Sequence, residues 1–229
     1  ILKVINSPFY GMNRKISEIK HAVMILGLNT INGLVTAIAL KDSFKGNAAI
    51  SLERFWDDAI DIANAMTFIG QKVKNQVPVD MLYTIGLFHD CGIALLALKY
   101  ANYKEVLIEG NSLRINTIAI EEKHYQTNHA VLGYYVASSW HLPKDLCQLI
   151  LVHHDFQAIN DATDNQSQLC LAVLKAAENI VEIAKRYQES CDWPEVKNQV
   201  FDIMGVSEVD FSDLADEFSE LFDACKVGH

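Results

Sequence analysis

A histidine and an aspartate stand side by side within residues 86–92, at the end of an apolar run. His89 and Asp90 offer an imidazole nitrogen and a carboxylate oxygen, a mixture of donors that borderline divalent transition metals accept. Such a pair is a weak indication by itself, because it also arises by chance at polar helix ends. Further donors follow later in the chain, at His129, His153, His154 and Asp155. The set as a whole points to a metal site.

The segments that carry these residues have the apolar spacing of helices. In the first of them the apolar positions are Met81, Leu82, Ile85 and Phe88. Pro78 suits the start of this helix, and Gly92 is expected to stop it. His129 is predicted to open a later helix, and His153 to finish another. The histidines are therefore expected at helix ends.

Two carboxylates are further candidates, for different reasons. Glu178 lies among apolar positions of a helix predicted over residues 169–183, and a buried carboxylate requires a partner or a metal ion. Asp58 lies in the acidic first turns of a helix predicted over residues 52–73. An acidic start suits the helix dipole, so this position is explained by helix stability as well as by a role as ligand.

The composition limits the classes of partner. The chain has 229 residues, of which 50% are hydrophobic, and a net charge of -10. Surfaces that bind nucleic acid are normally basic, so a protein or a small molecule is the favoured partner and nucleic acid is not. The five cysteines are scattered without a CxxC pair, which indicates reduced thiols in a cytoplasmic setting. No signal peptide or uninterrupted membrane-length run is recognised, so no membrane association is expected.

The apolar spacing predicts an all-α chain, since no segment has the alternation of a strand. Residues 41–51 are predicted to link a small N-terminal helical part to a larger helical bundle. The predicted units are residues 1–45, residues 46–190 and an acidic helical extension over residues 191–229. A polar loop is expected around residues 109–111. The abrupt apolar start at Ile1 suggests that more sequence lies upstream in the natural protein.

Several short motifs together resemble the HDOD family, a branch of the HD superfamily found in bacterial signalling proteins. In chain order they are Asn6-Ser-Pro-Phe-Tyr-Gly, Leu26-Gly-Leu, Phe55-Trp, Gly86-Leu-Phe-His-Asp-Cys-Gly, His129-Ala-Val-Leu-Gly, Trp140-His-Leu-Pro and His153-His. The similarity covers residues 1–185. It implies an all-helical module in which a small N-terminal helical subdomain packs on an HD-like bundle, with a regulatory or output role.

The related HD and HD-GYP phosphohydrolases hold one or two metal ions with a His, a His-Asp pair and a further Asp. The resemblance implies these metal ligands here: His89, Asp90, His129, His153 and His154. Two positions depart from the pattern, because Asp58 stands where the first His is expected and Glu178 where the final Asp is expected. The Gly-Tyr-Pro signature is absent after the double His, which argues against hydrolysis of cyclic dinucleotides.

Two functions from different classes follow from this resemblance. The favoured one is a signalling module that acts through contact with signalling proteins, without catalysis. The alternative is a metal-dependent phosphohydrolase acting on a phosphoester or nucleotide, in which Asp90 is the catalytic residue that orients or deprotonates water. The ion would be iron, manganese or zinc, and a small phosphorylated ligand is a further candidate. In either case these side chains are expected to face one cavity, with Asp58 at its edge: His89, Asp90, His129, His153 and Glu178.

Overall fold

The computed structural model describes residues 2, 6, 9, 15–73, 77–161 and 165–227. In chain order its helices are α1 (Ile19–Ser43), α2 (Leu52–Lys72), α3 (Val79–Phe88), α4 (Cys91–Lys99), α5 (Tyr103–Leu113), α6 (Ile118–Tyr125), α7 (His129–Ser139), α8 (Lys144–Val152), α9 (Phe156–Asp161), α10 (Asn165–Arg186), α11 (Trp193–Met204) and α12 (Glu208–Val227). These ranges contain no strand, so the predicted all-α class is confirmed. The Asn6-Ser-Pro-Phe-Tyr-Gly motif lies largely outside them. The division at residues 45 and 190 remains a prediction.

Helix α3 lies at the centre of the fold because it is apolar on every side. Residues 82–88 are all buried, and α3 packs against both α1 and α2. Gly86 allows α2 to come close, since a Cβ at this position would lie 2.6 Å from the Cα of Ala63. The core therefore fixes the end of α3, and with it the His-Asp pair that follows.

The His-Asp pair occupies a tight junction between α3 and α4. The backbone N–H of His89 still donates to Ile85 O at 2.8 Å, and Ile93 N donates to Asp90 O at 2.8 Å. The whole stretch Val79–Lys99 has the length and mean hydropathy, 1.6, of a membrane span, but 72% of that window is buried inside the protein. Its apolar character is that of a core segment.

Gly92 does not stop the helix before it, so that prediction is wrong. It lies inside α4, where a Cβ would come within 2.0 Å of the His129 backbone oxygen and 2.8 Å of Gly133 N. The glycine therefore lets the backbones of α4 and α7 touch, which brings His129 to the His-Asp pair. A glycine that follows a polar helix end has the same sequence signature whether it caps a helix or packs one.

The polar loop expected around residues 109–111 is also wrong, because these residues belong to α5. The helix continues past this stretch to Leu113, and Arg114 after it adopts a left-handed φ of 50°. Gly110 is a packing position, since a Cβ there would lie 2.4 Å from the Cγ2 of Thr117. The turn between α5 and α6 is consequently compact.

The last three helices close the bundle on the side of α2. Helix α10 packs against α2, and both α11 and α12 pack against α10. Trp193 and Phe211 stack with ring centroids 4.7 Å apart, and Phe218 is completely buried. Acidic side chains such as Asp213 and Glu217 remain exposed on the outer face of α12. This arrangement holds α10 rigidly beside the His-Asp pair.

Candidate metal centre

Helix ends bring most of the candidate donors together. His89 and Asp90 follow α3, His129 begins α7, and His153 and His154 follow α8. One ligand atom from each of four residues lies within 4.8 Å of the others: Asp90, His129, His153 and His154. His89 lies beside this group, and its ring centroid is 5.3 Å from that of His153.

Asp90 is the centre of the group, and its two oxygens face in different directions. Oδ1 lies 3.4 Å from His129 Nε2 and 3.3 Å from His153 Nε2. Oδ2 lies 3.3 Å from His89 Nε2. The carboxylate therefore separates the donors into an Oδ1 side, formed with His129, His153 and His154, and an Oδ2 side, formed with His89.

Backbone carbonyl groups orient two of the imidazoles. The last carbonyls of a helix lack intrahelical partners, so a histidine at the helix end can donate to the residue three positions earlier. His89 Nδ1 lies 2.9 Å from Gly86 O, and His153 Nδ1 lies 2.6 Å from Ile150 O. A carbonyl oxygen only accepts, so the Nδ1 of each ring is placed to donate to it. The Nε2 atoms of both rings are thereby turned toward Asp90.

A buried carboxylate orients the third imidazole. Glu121 is completely buried, and its Oε2 accepts from the backbone N and from Nδ1 of His129, each at 2.8 Å. Its Oε1 accepts from the hydroxyl of Tyr103. Asn128 caps α7 by accepting from Val131 N at 2.9 Å, which fixes His129 at the first position of the helix. A carboxylate–histidine pair of this kind sets the tautomer of a metal ligand.

His154 is the least satisfied of the imidazoles. Its Nε2 lies 3.0 Å from His129 Nε2, so the proton between the two rings belongs to one of them. Burial lowers the pKa of His154 well below its ordinary value, so this ring is neutral and has one proton. Its Nδ1 is buried 3.4 Å from Asp192 Oδ2 and is not aligned for a hydrogen bond.

The charges of the group are set by burial and by Asp90. Burial raises the pKa of the Asp90 carboxyl, but the imidazoles of His89, His153 and His129 outweigh it, and the net pKa is well below the ordinary value. Burial lowers the pKa of His89, but Asp90 raises it by more, so the net pKa is above the ordinary value. Burial also lowers the pKa of His129, but Glu121 and Asp90 raise it by more, so its net pKa is raised too. Asp90 is thus a carboxylate held by positive charge.

The ring of His153 shows why a metal ion fits this centre. Both of its nitrogens face oxygens, from Ile150 and Asp90, yet burial lowers its pKa to about 4 and a neutral ring has one proton. One of the two nitrogens therefore presents a lone pair to an oxygen atom. A divalent ion held by these residues would relieve the mismatch: Asp90, His129, His153 and His154. When bound, it would polarise an oxygen or lower the pKa of a water molecule.

Glu178 approaches the centre, but a lysine holds it. Its Oε1 lies 3.7 Å from His89 Nε2, while its Oε2 accepts from Lys175 Nζ at 2.9 Å. The same ammonium donates to Asp192 Oδ2 at 3.3 Å. Burial raises the pKa of Glu178, and Lys175 and His89 offset only part of this rise.

Asp58 does not lie among the imidazoles, but at the wall of an open cavity next to them. It pairs with Lys185 of α10, which also pairs with Asp61. Its side chain is 50% exposed. Both positions that depart from the expected ligands are therefore paired with a lysine. Asp58 pairs with Lys185, and Glu178 pairs with Lys175.

The sequence reasoning did not include three buried residues of this region: Glu121, Lys175 and Asp192. Glu121 and Asp192 stand in polar segments, where nothing local distinguishes them from surface residues. Lys175 was detectable, because it precedes Glu178 by three positions in an apolar helix and residues so spaced lie on the same face.

An open cavity of about 1090 Å³ lies next to the centre. His89, Asp90, His154 and Glu178 line its floor. Its walls include the side chains of Arg54, Lys104, Arg114, Lys185 and Arg186. Three of the four arginines of the chain therefore surround this one cavity.

Solved structures share the fold. An HDOD domain protein of unknown function from Geobacter sulfurreducens is 24% identical, with a TM-score of 0.70 over 97% of this chain and 77% of that one. A protein from Shewanella amazonensis SB2B, provisionally named a phosphohydrolase, is 18% identical, with a TM-score of 0.65 over 96% and 77% of the two chains. One from Marinobacter aquaeolei VT8, provisionally named a signal transduction protein, is 17% identical, with a TM-score of 0.70 over 97% and 48%.

Sequence comparisons place the chain within a family. An uncharacterized protein of Treponema pallidum (strain Nichols) is 23% identical over 156 residues, which are 68% of this chain. The chain spans only 30% of the length of that relative. The model of the HDOD domain matches residues 1–156, well over half of the chain. This chain therefore belongs to the HDOD domain family.

Proposed function

We propose that this chain is a regulatory module of the cytoplasm, which binds a divalent metal ion and contacts signalling proteins without catalysing a reaction. The observation that carries the proposal concerns the two carboxylates that replace the ligands of the hydrolytic relatives. Asp58 is held by Lys185 and Glu178 by Lys175. Ion pairs within the protein thus engage both positions, while the donors on the Oδ1 side of Asp90 remain grouped.

Helix α3 offers a connection from the centre to a partner. The His-Asp pair follows α3 directly, and α3 packs against α1. Helix α1 exposes apolar side chains, among them Met24 at 83% and Leu28 at 61%. Exposed apolar patches often mark protein contact sites. A change at the His-Asp junction would therefore reach a surface suited to a protein partner through one rigid helix.

The cavity favours a second candidate function, hydrolysis of a phosphoester or nucleotide. Arg54, Arg114 and Lys104 line its wall, and arginine binds phosphate through two parallel hydrogen bonds. A small phosphorylated ligand would thus have cations beside it and Asp90 at the floor. In this function Asp90 would orient the attacking water molecule or accept its proton.

Metal content and turnover test both functions. The purified chain is incubated with iron, manganese or zinc, and bound metal is measured after removal of the excess. Asp90→Asn and His153→Ala remove donors of the centre. Asp155→Asn is the matched control, because Asp155 is exposed and Gln157 N donates to its Oδ1, a bond that the asparagine oxygen can also accept.

We expect one ion per chain in the wild type and in Asp155→Asn, and none in the two donor variants. Turnover of generic phosphoesters should be absent from all four proteins. A wild type that stays metal-free contradicts metal binding. Metal-dependent turnover that disappears in both donor variants, at unchanged fold, would instead support the phosphohydrolase and overturn the regulatory module.

A further inference from the structure

Lys175 is a charged side chain in the interior of the protein. It is 1% exposed, and its ammonium contacts Glu178 Oε2 at 2.9 Å and Asp192 Oδ2 at 3.3 Å. Both carboxylates also approach the imidazole cluster, Glu178 near His89 and Asp192 near His154. The ammonium therefore supplies positive charge to the edge of the metal centre itself.

A second set of donors surrounds this edge, on the Oδ2 side of Asp90. His89 Nε2 lies 3.3 Å from Asp90 Oδ2 and 3.7 Å from Glu178 Oε1. One imidazole nitrogen and two carboxylate oxygens are donors that zinc and manganese accept. Because Asp90 Oδ1 faces the other imidazoles, one carboxylate could serve both sides.

We propose that Lys175 is the resident cation of the Oδ2 side, and that it limits the chain to one divalent ion by excluding a second ion from His89, Asp90 and Glu178. This inference rests on the metal binding in the proposed function. It goes further, because it assigns a latent second site and names the residue that closes it.

Electrostatics gives the reason. An ammonium repels a divalent ion at close range, and the repulsion is strong where water is excluded. Lys175 already compensates Glu178 and Asp192, so these carboxylates gain little from a metal ion. Removal of the ammonium would leave both of them, with Asp90, close together and short of positive charge. Such a cluster favours a divalent cation in place of the ammonium.

Metal stoichiometry tests the inference. Wild type, Lys175→Ala and the double variant Lys175→Ala/Glu178→Gln are titrated with Mn²⁺ and Zn²⁺ by calorimetry, and bound metal is counted after dialysis. Lys185→Ala is the matched control, since Lys185 lies on the same helix and also holds two carboxylates, Asp58 and Asp61. Lys175→Gln serves as a second variant that keeps hydrogen bonding to the carboxylates if the alanine protein does not fold.

We expect one ion in the wild type and in Lys185→Ala, two in Lys175→Ala or Lys175→Gln, and one again in the double variant. The second ion should bind the lysine variants at least about 100-fold more tightly than it binds the wild type. Mn²⁺ should also raise the melting temperature of Lys175→Ala more than that of the wild type, because the ion replaces a lost charge.

Two ions in the wild type, or one ion in folded Lys175→Ala and Lys175→Gln, would overturn the inference. Two ions in Lys185→Ala would also overturn it, because loss of any lysine on α10 would then be enough. Failure of the proposed metal centre is recognisable separately, since wild type and all variants would bind none.

Discussion

The two sides of Asp90 differ in the groups that compensate carboxylates. On the Oδ1 side the groups are the imidazoles of His129, His153 and His154, whose neutral forms are metal ligands. On the side of α10 they are the ammonium groups of Lys175 and Lys185. Burial lowers the pKa of Lys175, but Glu178 and Asp192 raise it by more, so its net pKa is above the ordinary value. Lys175 therefore keeps its positive charge near neutral pH, whereas the imidazoles of the Oδ1 side can bind a metal ion.

Under the proposed function, this difference accounts for a chain without catalysis that shares its fold with proteins provisionally named a phosphohydrolase and a signal transduction protein. Replacing a ligand such as histidine leaves the other donors where the helix ends hold them. A lysine on a neighbouring helix then compensates the carboxylates that remain. The arrangement of donors alone therefore does not reveal how many ions are bound, because internal cations compete for the same oxygens.

The largest expected effect on stability comes from removing the buried ammonium group of Lys175. Lys175→Met leaves Glu178 and Asp192 buried without their cation, and breaking a buried ion pair typically costs about 3–5 kcal/mol. Urea unfolding in a metal chelator should show this loss in the free energy of unfolding. A loss below about 1 kcal/mol would mean that water compensates these carboxylates.

The next effect concerns the hydrogen bond from Tyr103 to Glu121, the carboxylate that orients His129. Tyr103→Phe removes the hydroxyl that donates to Glu121, and hydrogen bonds to charged groups contribute about 1.5–3 kcal/mol. The free energy of unfolding should fall by this amount. Tyr125→Phe is the control, because its hydroxyl donates to Asn102 at an exposed position, 3.3 Å away. Equal losses in both variants would contradict a special role for the buried bond.

Glu121→Gln should weaken metal binding without dismantling the site. The amide keeps the shape of Glu121 but loses the charge that holds Nδ1–H of His129. Changes in such supporting groups typically lower metal affinity about 10–100-fold. Calorimetric titration with Zn²⁺ measures the loss. Glu122→Gln should leave affinity unchanged, because Glu122 bonds only to the capping residue Asn128 among the contacts described.

The smallest effect is expected at Lys185. Its partners Asp58 and Asp61 are 50% and 23% exposed, so both pairs lie closer to solvent than those of Lys175, and ion pairs near solvent contribute at most about 1 kcal/mol. Lys185→Met should therefore change the free energy of unfolding by less than that, with unchanged metal stoichiometry. If this variant loses as much stability as Lys175→Met, the proposed contrast between a buried and a peripheral lysine is wrong.

Local sequence signals were sufficient for several helices, though not for α5, and for the placement of the histidines at helix ends. Apolar spacing predicted α3, α8 and α10. His129 begins its helix as predicted because Asn128 caps it. These features depend on residues only a few positions apart, so periodicity and capping reveal them.

Features that depend on packing between distant segments were not predictable in the same way. Glu121 stands in a polar segment, and only the packing of α6 against α7 buries it beside His129. The contact of Asp192 with Lys175 requires the turn between α10 and α11. Gly92 packs closely against the backbone of His129, in another helix. No nearby residue indicates this contact, so the sequence alone led to its assignment as a helix end.

The contact at Gly92 also sets the width of the metal centre. Since the backbone of α4 meets that of α7 there, no side chain can act as an adjustable spacer between Asp90 and His129. Calcium takes about six to eight oxygen ligands at longer distances than zinc does, so it would require the two helices to separate. In the proposed metal centre, the close helix crossing at Gly92 would therefore favour a small transition-metal ion over calcium.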